Sequence, residues 1–311
     1  MPHPKPTNVP ASIRQKLLNL ARARNEEFGL ILTKYGLERV LFRLSQSKYR
    51  EVFILKGALL FELWTRERYR PTRDADFLAT GENSPERFVQ IFQDIAAVKV
   101  EEDGLHFDPK TVKAERIKED ADYEGVRVTF TAFLEKAQIP IQIDIAFGDT
   151  ITPGPVPTQY PVLLDFPQPE LLAYPRETVV SEKLEAMVKL GIANSRMKDF
   201  HDLYTLSTAF DFDGNTLADA VRATFAHRGT DLPAAGIPMA FTPEFYEDQN
   251  KLKQWNAFCN RNKSYIQPIE FKDIVARLAS FLVPVIESIL QQRTFASTWT
   301  PMSGWQPIVP K

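Results

Sequence analysis

Cysteine is almost missing from this sequence. Cys259 stands alone in 311 residues, so no internal disulfide can form, and with only four histidines there is no Cys/His cluster at zinc-binding spacing. Net charge is equally scarce. Its formal value is −2, so the whole-protein field offers no broad attraction to a polyanion, and any nucleic-acid contact has to come from a local basic patch. Long apolar runs are absent too. The Pro-rich start, MPHPKPTNVPAS, has no apolar signal core. The most apolar C-terminal stretch, Ile274 to Leu290, carries Arg277, Pro284 and Glu287 and is short for a bilayer span. No membrane segment is expected, and the expected location is the cytoplasm. There is no internal repeat. What remains is ordinary for a globular chain: 44% hydrophobic residues exclude disorder, and the length suits about two domains.

Helical spacing opens the chain. Ile13, Leu17, Leu18 and Ala21 share one face of a helix over 11–24, and Phe28 through Leu44 give a broader apolar face over 26–44. Val52 to Leu55 is a short β-favouring run, as expected of a buried strand, and Lys56-Gly57 ends it. A short helix is predicted from Ala58 to Trp64. An arginine-rich segment follows (Arg66, Arg68, Arg70, Arg73), and Asp74 to Ala79 predicts a second strand. Ser84-Pro85-Glu86 predicts a helix start with Ser84 as N-cap. The alternation of Val126, Val128, Phe130, Ala132 and Leu134, then of Ile141, Ile143, Ile145 and Phe147, predicts an antiparallel pair with one apolar face. The proline-rich segment 150–175 is expected to be a linker. Beyond it, helices are predicted over 175–190, 198–210, 216–227, 243–259 and 271–291, the last kinked by Pro284, with a loop from Thr294. The expected fold class is α+β. A mixed-sheet domain over 1–150 carries a helical N-terminal preface, and a helical C-terminal domain covers 151–311.

Asp74 and Asp76 are separated by one residue. On a strand that spacing puts both carboxylates on one face, roughly 6.5 Å apart along the backbone. Oxygen-only ligands suit Mg²⁺ or Mn²⁺. Asp144 lies on the polar face of another predicted strand. If the two strands are neighbours, three carboxylates converge, and metal ions held there could clamp a triphosphate and activate an attacking hydroxyl. The plainer account is that Asp-X-Asp pairs are common and usually cap a turn or sit in water. Against it, two acids within a strand run counter to β propensity and call for compensation.

Lys56-Gly57 between strand and helix is the local order for anion binding: the helix start offers free N–H groups, and Gly57 permits close backbone approach. Gly57 could equally just turn the chain. Lys183 stands beside an apolar stripe of Val179, Ala186, Met187 and Leu190, where it either snorkels or points at triphosphate oxygens. Arg196, Asp199 and Asp202 follow. The two acids share a helix face and could orient Lys183 or Arg196, accept a proton, or simply cap the helix start. The four arginines with Tyr69 and Trp64 suit phosphate contact plus base stacking, or a solvated loop.

Three blocks together resemble a known family. Phe53-Ile54-Leu55-Lys56-Gly57-Ala58-Leu59-Leu60, with Arg70-Pro71-Thr72-Arg73-Asp74-Ala75-Asp76 after it, resembles the first motif of the AbiEii/AbiGii-type nucleotidyltransferase toxins, which include the MenT toxins of mycobacteria. Ile143 to Asp149 resembles that family's third-carboxylate strand, and Glu182-Lys183-Leu184 through Arg196 to Leu203 its second block. The resemblance implies a nucleotidyltransferase-like mixed-sheet domain and transfer of a nucleoside monophosphate from an NTP, with an RNA acceptor, the 3′ end of tRNA in MenT-like members. It implies a toxin of a toxin–antitoxin or phage-defence system, with a cognate antitoxin protein encoded alongside. By motif position Asp74, Asp76 and Asp144 are the metal residues. Lys183 is the family lysine, Asp199 or Asp202 the downstream acid, and Thr72 the family Ser/Thr. Lys56, Gly57, Thr72, Arg73, Lys183 and Arg196 are the expected nucleotide-binding residues. Ala58 departs from the general pattern, which places a serine after the glycine; Thr72 is then the hydroxyl at hand. That departure keeps open a regulator that holds an NTP without turnover; a further alternative is transfer to a protein or small molecule, against which the Arg66–Arg73 patch mildly favours RNA.

Overall fold

The computed structural model describes residues 8–65, 69–120 and 123–308, which divide into two compact units. The first comprises Met1–Glu67, Pro71–Gly148 and Val156–Ala173. Its elements are α1 (Val9–Arg24), α2 (Phe28–Ser45), β1 (Phe53–Lys56), α3 (Leu59–Thr65), β2 (Asp74–Ala79) and α4 (Pro85–Ala96), then β3 (Leu105–Phe107), β4 (Lys113–Asp120), β5 (Tyr123–Leu134), β6 (Ala137–Phe147), β7 (Val156–Gln159) and β8 (Glu170–Ala173). The strands form one sheet in the order β3-β5-β6-β2-β1-β8-β7, with β4 also on β5. β2 runs parallel to β6 and β1 parallel to β8, while the other pairs are antiparallel, so the sheet is mixed.

Alternation decides which face is buried. Val126, Val128, Phe130, Ile141, Ile143 and Ile145 are all nearly solvent-free, as are Phe53 and Phe77 on the central strands. Phe88 and Phe92 of α4 meet Phe53 edge-on at ring separations of 6.1 and 5.6 Å, a geometry favoured by the aromatic quadrupole. α2 is buried along almost its whole length, and its buried arginines are paired. Arg39 and Arg43 reach the Asp103 carboxylate at 2.9 and 2.7 Å, which fixes the segment ahead of β3. Pro85 opens α4 as expected, but Ser84 forms no side-chain cap bond. The expected linker over 150–175 instead holds β7 and β8. Pro157 is tolerated there because β7 is an edge strand, where a missing N–H breaks no ladder.

The second unit comprises Arg68–Arg70, Asp149–Pro155 and Tyr174–Lys311. It contains α5 (Arg176–Leu190), α6 (Met197–Ala209), β9 (Phe212–Asp213), α7 (Gly214–Arg228), α8 (Pro243–Tyr246), α9 (Gln249–Arg261), α10 (Phe271–Leu290), β10 (Ser297–Thr300) and β11 (Gly304–Pro307). The expected helix over 243–259 is two helices. Asp248 separates them, because its carboxylate accepts the Asn250 and Lys251 N–H groups and so caps α9. The expected C-terminal loop is a hairpin, β10–β11, continued by β9 into a three-stranded sheet. Trp299 anchors it, 4.7 Å from the Phe281 ring of α10. α10 runs through Pro284 as a single helix. Among the described residues no helix is long and apolar enough to cross a membrane.

Candidate active site

β2 lies between β1 and β6, and its register places the acids. Asp76 is directly opposite Lys56 on β1 and directly opposite Asp144 on β6, with Asp74 beside Gln142. Because side chains alternate along a strand, Asp74 and Asp76 share a face, and strand neighbours in register bring Asp144 to the same face. One oxygen from each of Asp74, Asp76 and Asp144 lies within 4.8 Å of the others. Asp144 is buried, and the other two are partly exposed. Like charges so close destabilise one another unless a cation or hydrogen bonds compensate them.

The compensation visible within the protein is specific. Thr72 Oγ1 donates to Asp74 Oδ1. Arg127 of β5 grips Asp144 with a two-pronged fork, Nε to Oδ1 at 2.8 Å and Nη2 to Oδ2 at 2.7 Å, and Gln142 Nε2 donates to Asp144 Oδ2 at 3.2 Å. The Asp144 hydrogen bonds hold the Arg127 guanidinium above its ordinary pKa. Arg127 was not among the residues expected from the sequence. The signal for it was present: β5 and β6 meet through the two-residue turn Glu135-Lys136, and stepping back along both arms from the Leu134–Ala137 pair brings Arg127 opposite Asp144.

Gly57 follows β1 in the left-handed region, φ 74°. A Cβ there would lie 1.9 Å from Asp76 Oδ2. The close approach that glycine permits is therefore to the Asp76 carboxylate. Gly57→Ala is expected to displace that carboxylate, lowering activity by about tenfold, the equivalent of about 1.4 kcal/mol, while the left-handed backbone costs about 1–2 kcal/mol. Steady-state rates beside a thermal melt check this; an alanine variant with wild-type activity contradicts it. Lys56 is partly buried at the end of β1, and Arg73 is exposed just ahead of β2.

The other expected site residues form a second cluster, wholly within the second unit. Lys183 Nζ of α5 lies 2.7 Å from Asp199 Oδ1 and 2.8 Å from Asp202 Oδ2, both on α6. Arg196 Nε reaches Asp199 Oδ2 at 2.6 Å. Arg70 forks onto Asp202 at 2.8 and 2.7 Å, and Tyr69 Oη donates to Asp202 Oδ1 at 2.7 Å. Both carboxylates are completely buried, so neither serves as a solvated helix cap. Burial pushes the Asp199 carboxyl up, but Lys183 and Arg196 overcome it and hold the group below the usual range. For Asp202 burial is likewise outweighed, by Arg70 and Lys183, and its carboxyl is held well below that range. Burial pushes Lys183 down, and the two aspartates more than reverse it, so the ammonium keeps its proton.

Two residues of the arginine-rich segment are committed within the fold. Tyr69 is buried rather than available for stacking, and Arg70 is committed to Asp202. Arg66 and Arg68 lie outside the described residues. Asp149 and Glu182, also within the motif blocks, are ion-paired: Arg228 reaches Asp149 at 3.0 Å, Glu182 at 3.4 Å and Glu185 at 2.9 Å.

Comparisons with known proteins place the chain in a family. Residues 39–277 match the family model described as nucleotidyl transferase AbiEii toxin, type IV TA system. The structure resembles the crystal structure of JHP933 from Helicobacter pylori, with TM-score 0.50 and 14% identity over 86% of this chain and 95% of that one. A candidate nucleotidyltransferase from H. pylori is similar at TM-score 0.45 and 13% identity, over 84% and 95% of the two chains. The curated proteins give no match.

Proposed function

The chain belongs to the AbiEii family of nucleotidyl transferase toxins of type IV toxin–antitoxin systems and is a nucleotidyltransferase; from that premise we propose that it transfers a nucleoside monophosphate from an NTP to the 3′ end of a tRNA. The observation that carries the reading is the convergence of Asp74, Asp76 and Asp144 on one sheet face, their oxygens within 4.8 Å. An all-carboxylate donor set fits a hard divalent cation such as Mg²⁺ or Mn²⁺. Arg127 and Gln142 do not exhaust Asp144, because a carboxylate offers about four lone-pair sites. A cation bound there would supply charge neutralisation at the phosphates and would acidify an attacking hydroxyl.

In the reaction an acceptor hydroxyl oxygen bonds to the α-phosphorus, the bond between the α-phosphorus and the pyrophosphate oxygen breaks, and the hydroxyl proton passes to solvent water. Asp74 and Asp76 would hold the cation, and Asp144 would complete the set or take part in activating the hydroxyl. Thr72 orients Asp74, and Lys56, Gly57 and Arg73 flank the nucleotide. In the second unit Lys183 is the family lysine, with Asp199 and Asp202 keeping it protonated and Arg196 securing Asp199. The toxin family implies an antitoxin counterpart.

Label from an α-labelled NTP is expected to enter intact tRNA and not periodate-oxidised tRNA, whose terminal ribose lacks both hydroxyls. Equal labelling of the two would overturn the 3′-end assignment. Label appearing on protein or a small metabolite instead would replace RNA with that acceptor.

A further inference from the structure

The carboxylate cluster already holds a positive charge at Asp144. Arg127 sits on β5 opposite Asp144 on β6 and opposite Glu115 on β4, and its fork covers both Asp144 oxygens. The side chain is 35% exposed, so the guanidinium is within reach of solvent and of an arriving anion. Asp144 is the buried member of the three acids, the one whose charge most needs a partner when nothing else is bound.

We propose that Arg127 is the resident counter-ion of the carboxylate cluster: it restrains cation binding by the nucleotide-free protein and, when a cation takes over Asp144, offers its freed fork to a phosphate group of the nucleotide. This rests on the reading of Asp74, Asp76 and Asp144 as the cation site. The physical argument is a competition. A guanidinium and a divalent cation on the same carboxylate repel each other, so the cluster gives up part of its affinity for as long as Arg127 stays. Planar bidentate geometry matches a phosphate as well as it matches a carboxylate, so the same fork can change partners. Cation and nucleotide then bind cooperatively, because each makes room for the other.

An ordinary supporting role predicts the opposite sign. If Arg127 only orients Asp144 as a ligand, its removal weakens the metal by roughly 10–100-fold. The test is therefore Mn²⁺ binding by the full chain without nucleotide, read from the free-ion electron paramagnetic resonance signal. The variants are Arg127→Gln, Arg127→Lys and Asp74→Asn, with thermal melts to establish folding. The counter-ion role predicts that Arg127→Gln binds Mn²⁺ at least about tenfold more tightly than the wild type, as the loss of one nearby positive charge requires. Arg127→Lys, which keeps the charge, stays near the wild type. In steady-state transfer Arg127→Gln raises the KM for NTP. Unchanged or weaker Mn²⁺ binding by folded Arg127→Gln, with Asp74→Asn still abolishing it, overturns the counter-ion role alone. Mn²⁺ binding that ignores Asp74→Asn overturns the cation site itself and the counter-ion role with it.

Discussion

Asp74→Ala lowers nucleotidyl transfer by on the order of a thousandfold, because a metal centre contributes several kcal/mol to a phosphoryl-transfer transition state and each 1.36 kcal/mol is a factor of ten. The fold survives. Asp74 is partly exposed at the first position of β2 and accepts a hydrogen bond from nearby Thr72. Removing one of three crowded carboxylates also relieves repulsion, so the thermal midpoint is expected to stay the same or rise. Initial rates with purified wild type and variant, beside calorimetric melts of both, check this. A variant that loses activity only because it has melted would mean that Asp74 serves the fold. The same experiment on Asp76 is less clean, since its carboxylate lies against the Gly57 backbone.

Asp202→Asn is the variant with the largest effect on stability. It leaves the Arg70 and Lys183 charges facing a neutral amide in a fully buried position, and breaking such a pair costs about 3–5 kcal/mol. The pH dependence has a definite sign. The folded Asp202 carboxyl is held well below the ordinary value of 3.8. Its contribution is therefore complete above that ordinary value and is lost as pH falls through the lower folded one. Asp199 is depressed in the same direction. The wild type thus loses stability below about pH 4, and Asp202→Asn shows a shallower acid limb on a lower plateau. Urea unfolding between pH 3 and 7 reads both, and the fluorescence mostly reports the second unit, which holds Trp255, Trp299 and Trp305 while Trp64 belongs to the first. An unchanged midpoint at neutral pH contradicts the account.

The α+β class and most helices are legible in the sequence, because amphipathic periods and proline starts are local signals. What is not legible is mostly edge structure. Lys113–Asp120 reads as a charged, featureless segment, yet it is β4 on the edge of the sheet, where charge is favoured because it deters further pairing. The prolines of 150–175 suggest a linker, and an edge strand tolerates them equally well. At the site, the shared face of Asp74 and Asp76 follows from their spacing alone. Their adjacency to Asp144 does not, since it depends on a parallel pairing between strands about seventy residues apart that no local pattern specifies. Tyr69 and Arg70 mislead for a related reason. In an arginine-rich loop they look solvated, and only the fold reveals the buried Asp202 that claims both.

Each of the four α-labelled NTPs, incubated with the purified chain, Mg²⁺ and total tRNA beside Asp74→Ala, gives the most direct answer. The account predicts label on RNA from at least one NTP, abolished by EDTA and by Asp74→Ala. Label that persists in folded Asp74→Ala, or no label on any RNA while the NTP still binds, would contradict it.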